Sequence, residues 1–115
     1  MLSRLALLAL LAAPVGARAQ ALPEFSDPRL KAGREVWVGT CQVCHTEPAS
    51  GAPQIGDRKA WAPRLAKGKP ALYRSALGGL VGPKGSEMPA RGGNASLSDE
   101  QVRTAVDYMT AVVSK

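Results

Sequence analysis

Cys41-Gln42-Val43-Cys44-His45 is the stretch on which the reading of this 115-residue chain turns. C-x-x-C-H is the spacing at which a polypeptide attaches haem covalently. Two thiols three positions apart on one helical turn each add to a vinyl group of the porphyrin, giving thioethers, and the adjoining imidazole reaches the iron through one ring nitrogen. Other uses of C-x-x-C fit poorly. A zinc site needs a second pair of Cys or His ligands, and the chain has two cysteines and one histidine in all. A thioredoxin-like dithiol follows a strand in a βαβ context, whereas the neighbours here are helical, Gly-rich and Pro-rich. A plain disulfide would close so short a loop that it constrains little of the unfolded chain, and it leaves His45 unexplained.

The first nineteen residues set the compartment. Arg4, an apolar run from Leu5 to Ala13, Pro14 and the small-x-small pattern Ala17-Arg18-Ala19 form an export signal, with the mature chain expected from Gln20. The run is far shorter than the roughly 20 residues needed to span a bilayer. The expectation is therefore a protein of the periplasm, with no stable membrane insertion after cleavage. Residues 20–115 then form a single domain of 115 − 19 = 96 residues. Two Trp, two Tyr and one Phe are few aromatics for a core of that size, and a haem supplies the missing interior.

The whole chain carries +6, and loss of Arg4 and Arg18 leaves 13 basic against 9 acidic residues, near +4. The basic residues are scattered among Gly, Pro and Ala without interleaved aromatics, so nucleic acid is not an expected partner. They serve as a solvated surface or as a docking face for an acidic redox partner protein.

The remaining pattern is all-α, helix and loop, with no alternation long enough for a sheet. Asp27-Pro28 opens a first helix with Leu30, Gly33, Val36 and Trp37 at helical spacing up to the cysteine motif. Pro48, Gly51, Pro53 and Gly56 mark Thr46 to Gly56 as loop. A short helix over Asp57 to Lys67, interrupted at Pro63, and another over Pro70 to Leu77, stopped by Gly78-Gly79, precede a loop from Leu80 to Ala95. Ser98-Asp99-Glu100-Gln101 is a capping box, with Leu97 and Val102 as its hydrophobic staple. Val102, Ala105, Val106 and Met109 form one stripe, expected to cross the first helix where Gly33 allows close approach, beside Trp37 and Tyr108.

With His45 as the proximal ligand, the second axial ligand is Met88 or Met109. Met109 sits on a helix stripe, where methionine fills cores. Met88, in Glu87-Met88-Pro89 of a Gly/Pro loop, has no such face to serve and is the favoured ligand.

These residues carry a family resemblance. Cys41-x-x-Cys44-His45, Gly51-Ala52-Pro53-x-x-Gly56-Asp57, Ala60-Trp61-x-Pro63-Arg64, Met88-Pro89 and Arg91-Gly92-Gly93-Asn94 leading into Leu97-Ser98-Asp99-Glu100 resemble the class I c-type cytochromes, most of all the small bacterial cytochromes of the c-five type. The resemblance implies the class I cytochrome c fold, about four helices and Gly/Pro-rich loops wrapped around one covalently attached haem c. It implies that the Pro53 carbonyl fixes the imidazole of His45, that Ile55 packs on the haem, and that Trp61 and Arg64 hold a propionate. A core Trp and a solvated Arg are the alternative for that last pair. Some members carry a further disulfide near the last helix; here Asn94 and Leu97 occupy that neighbourhood.

An iron with both axial positions filled by protein has no open site for substrate, so one-electron exchange is the expected function and the chain is not expected to be an enzyme. The expected role is a periplasmic shuttle between a donor and a terminal oxidase or reductase, as a monomer or weak dimer. Two alternatives stay open: a haem subunit of a specific oxidoreductase complex, and a gas-binding or peroxidase-like protein if Met88 leaves the iron.

Overall fold

The computed structural model describes residues 22–82, 85 and 87–115, so the expected export signal over residues 1–19 lies outside the described residues. Helix α1 spans Pro28–Val36. Asp27 caps it, accepting from the amides of Arg29 and Leu30 at 2.8 and 3.1 Å, and Pro28 occupies the first turn, where no amide is needed. The helix does not stop before the cysteine motif: it continues through one π turn, Trp37–Cys41, into α2, Gln42–His45. Such a turn inserts one extra residue without ending the helix.

The Thr46–Gly56 segment is mostly loop, but Pro48–Ser50 closes a 3-10 turn capped by the Glu47 carboxylate. Helix α3 runs over Arg58–Leu65 without interruption at Pro63. Pro63 is exposed, and the carbonyl it deprives of a partner is that of Lys59, also exposed, where water satisfies it. Helix α4, Lys69–Gly78, ends where Gly79 takes φ +84°.

The expected loop from Leu80 to Ala95 contains a small ladder. Strand β1, Leu80–Val81, pairs antiparallel with β2, Glu87–Met88, in the register Leu80 to Met88 and Val81 to Glu87. Two residues a side leave no alternation to detect; the chain reverses between the strands, where the Gly85 amide donates to the Gly82 carbonyl at 3.0 Å and Gly85 takes φ 77°. A Cβ at Gly79, just before β1, would lie 3.0 Å from the Met88 carbonyl oxygen, so the close approach of the opposite strand end needs glycine. A 3-10 turn, Ala90–Gly93, follows.

Helix α5, Asp99–Val113, starts from the complete capping box: the Gln101 amide donates to Ser98 Oγ at 3.1 Å and the Ser98 amide to Gln101 Oε1 at 2.9 Å. It packs on α1, α3 and α4. The crossing with α1 is at Gly33, where a Cβ would meet the Thr104 carbonyl oxygen at 2.0 Å. Trp37 and Tyr108 pack beside it, their rings tilted by 55° with centroids 5.9 Å apart, and anchor the core with Trp61, Ala105, Met109 and Val113. Burial extends beyond the expected stripe to Thr104, Asp107, Tyr108 and Thr110, because α5 has neighbours on several sides. Tyr108 donates its hydroxyl to the Pro23 carbonyl at 2.8 Å, tying down the segment before α1.

Candidate haem site

His45 ends α2 buried, and the loop after it holds the residue at two points. Its Nδ1 lies 2.8 Å from the Pro53 carbonyl oxygen, and its own carbonyl accepts the Ile55 amide at 2.9 Å. A ring nitrogen facing a carbonyl carries the proton, so Nδ1 is the N–H and Nε2 the nitrogen with a lone pair for a metal. Burial pushes the His45 pKa down, the Pro53 carbonyl opposes this, and the Arg64 charge lowers it further. The net direction keeps the ring neutral near pH 7, as a ligand must be.

Both cysteines are unbridged; Cys44 is exposed and Cys41 half-buried. Burial pushes the Cys41 thiol up to about 11. Redox dithiols need the opposite shift toward thiolate, so this environment does not build a thioredoxin-like site.

Cys41 and His45 open onto an apolar cleft between the π turn and α5. Met88 lines it from β2 and Met109 from α5, so the fold brings both candidate thioethers to one place. Met109 is buried and belongs to the core cluster with Trp37 and Tyr108, whereas Met88 is half-buried on a strand of two residues. Trp37, only 1 % exposed, also walls the cleft, and its indole N–H meets no acceptor among the described residues. A buried unpaired donor is costly in a finished core. Two thiols, a neutral imidazole with its distal nitrogen available, thioethers and apolar walls together fit a covalently held haem.

The other expected contacts are placed as follows. Ile55 is half-buried against the core cluster and is not in the cleft wall. Trp61 packs 6.0 Å from the His45 ring, centroid to centroid, and donates its indole N–H to the Gln54 carbonyl at 2.9 Å. Arg64 donates from one terminal nitrogen to the Ala60 carbonyl at 2.6 Å. Trp61 thus braces the loop that fixes His45. Sequence reasoning did not pick out Arg91 and Gly92 as parts of the wall, nor Trp37, although Trp37 stands one helical turn before Cys41.

Comparison with known proteins agrees with this chemistry. A family model described as cytochrome c oxidase, cbb3-type, subunit III, matches residues 28–109. Cytochrome c-555 of Chlorobaculum tepidum is 47% identical over 78 residues, covering 68% of this chain and 71% of that protein. Cytochrome c5 of Azotobacter vinelandii is 32% identical over 84 residues, covering 71% of this chain and 95% of that one. A chain from the crystal structure of an electron transfer complex of nitrite reductase with cytochrome c superposes with a TM-score of 0.63 at 40% identity, covering 76% of this chain and 96% of its own. The chain belongs to the class I c-type cytochromes, and its cofactor is a covalently bound haem c.

Proposed function

We propose that this protein is an exported one-electron carrier in which Cys41 and Cys44 form the thioethers and His45 and Met88 are the axial ligands. The observation that carries the reading is the cleft itself, where a buried imidazole with its Nδ1 on the Pro53 carbonyl shares apolar walls with Met88. Bound there, haem supplies a reversible Fe(III)/Fe(II) couple. The chain's part would be to keep His45 neutral and oriented, to offer the Met88 thioether as a soft ligand, and to exclude water; the thioether and the burial would both raise the reduction potential. Arg64 keeps further N–H groups for a propionate, while Trp61 reaches one only by exchanging its bond to the Gln54 carbonyl.

Residues 1–19 direct export to the periplasm in this reading, and residues 20–115 are the mature domain. Among the described residues no helix is long and apolar enough to cross a membrane. Partners are redox proteins that meet an exposed haem edge. Two segments, Arg58 to Lys69 and Lys84 to Arg91, frame it in this reading; Lys69 pairs with Asp107 at 3.2 Å and Arg91 with Asp99 at 2.5 Å, which leaves Arg58, Lys59 and Lys67, besides Arg64, for long-range attraction, and Lys84 lies outside the described residues. Val43, between the two cysteines, is 73% exposed and suits a short-lived apolar contact.

The test is spectroscopic. The ferric protein should show the weak near-infrared sulfur-to-iron charge-transfer band of a His/Met haem. Met88→Ala should abolish it and Met109→Leu should leave it; the reverse pattern would assign the ligand to α5. Rapid CO binding by the wild-type ferrous protein would instead support a gas-binding role. The family model named for an oxidase subunit favours one second reading, a haem subunit of a larger oxidoreductase. Stoichiometric co-purification with a catalytic chain would establish it.

A further inference from the structure

Arg91 is, among the described residues, the one non-glycine with a left-handed backbone, at φ 58° and ψ 27°. Gly92 and Gly93 follow at φ 62° and 84°, so a left-handed turn built from glycine begins with a residue that pays a steric penalty to enter it. An arginine persists there only if its side chain compensates. It does so by reaching forward to the start of α5. One terminal nitrogen donates to the Leu97 carbonyl at 2.9 Å and the other to Asp99 Oδ1 at 2.5 Å. The guanidinium is thus forked between the last residues before the helix and its first residue.

The turn it starts stands three residues beyond Met88 and shares the cleft wall with it. The Gly92 amide donates to the Pro89 carbonyl at 3.0 Å, so the turn folds directly onto the Met88-Pro89 segment. On its other side a Cβ at Gly92 would lie 2.8 Å from Thr40 Cγ2, next to Cys41. Between Met88 and α5 the Arg91 side chain is therefore a crosslink from the strand that presents the thioether to the most firmly capped helix of the fold.

We propose that Arg91 is a positioning residue for the axial methionine, its forked contact to Leu97 and Asp99 holding the Met88 strand in the cleft and slowing departure of the thioether from the iron. This rests on the reading of Met88 as ligand. The measurement is the rate at which ferric holoprotein takes up imidazole at saturating concentration, where loss of the methionine limits the reaction. Arg91→Ala should raise that rate about tenfold or more, as expected for loss of a charge-assisted hydrogen bond. Arg91→Gly should raise it as well, although glycine relaxes the backbone. Arg91→Lys should fall between, since one ammonium cannot replace the planar fork. Asp99→Asn, which keeps Arg91 and its backbone, should give a smaller increase and covers the case in which Arg91→Ala fails to mature. Helical circular dichroism and the covalent haem content should stay near wild type.

A saturating rate within about twofold of wild type in Arg91→Ala and Asp99→Asn overturns the clamp. A slower rate in Arg91→Gly also overturns it, because backbone strain would then control the loop. Met88→Ala separates the two readings. If it keeps the near-infrared band, the ligand assignment fails and the proposal with it; if it loses the band while Arg91→Ala is silent, only the clamp fails.

Discussion

Gly33→Ala tests the packing that holds the molecule together. The new Cβ would sit 2.0 Å from the Thr104 carbonyl oxygen, 2.6 Å from its carbon and 3.1 Å from Tyr108 Cβ. Two of these neighbours are backbone of α5, so no rotamer change relieves the clash and the helices must separate by more than an ångström. Overpacking costs about 1–3 kcal/mol when side chains adjust. With backbone on both sides, the upper end, about 3 kcal/mol, applies. Alanine returns about 1 kcal/mol through its better helix propensity. The net loss of about 2 kcal/mol corresponds to a fall in Tm of about 8–16 °C for a domain of this size. The assay is thermal melting of the haem-loaded protein followed at the helical circular dichroism bands. Gly78→Ala is the control, since nothing lies within 4 Å of its would-be Cβ and its φ is not positive. A Gly33→Ala protein that melts within about 3 °C of wild type would show that the α1–α5 crossing is looser than described and refute the reasoning.

Other perturbations address the rest of the structure. Asp107 is only 5% exposed and takes Arg29, Tyr73 and Lys69 from α1 and α4 onto α5, so Asp107→Asn should cost about 1–3 kcal/mol in denaturant melts, discounted because both cations are partly solvated. Burial alone pushes the Asp107 carboxyl up, but bonds from Tyr73, Arg29 and Lys69 outweigh it and hold it below its ordinary 3.8. Its stabilisation is therefore full above that value and lost as the pH falls below it, and acid titration of Asp107→Asn should lack this component. Ser98→Ala should cost about 1 kcal/mol by removing half of the capping box, read as a lowered midpoint with unchanged m-value. Electron transfer to an acidic partner should slow several-fold as ionic strength rises from about 0.01 to 0.15 M, the Debye length contracting from roughly 30 to 8 Å; a flat rate in stopped flow would assign docking to apolar contacts such as Val43.

Features that rest on local chemistry were legible in the chain. Cys41, Cys44 and His45 stand at a spacing that haem attachment imposes, the caps at Asp27 and Ser98 are bonds between residues two or three apart, and Gly33 facing α5 follows from helical periodicity. What it did not carry was produced by contacts between distant segments. The π turn at Trp37–Cys41 adds a residue within a pattern that looks continuously helical. The β1–β2 ladder is too short for periodicity and depends on the close approach of Gly79 to the Met88-Pro89 segment across it. Pro63 remains inside α3 because the carbonyl it strands is in water, which is a property of the surface. The cleft shows the same division. Its chemical groups were legible as residue types, but that Met88 and Met109 reach the same walls, that Trp61 turns its N–H to Gln54, and that Arg91 bridges to Leu97 and Asp99 were decided only by the tertiary structure. A sequence specifies which groups are available; their partners across the fold are set by how backbones pack, which depends on all the elements at once.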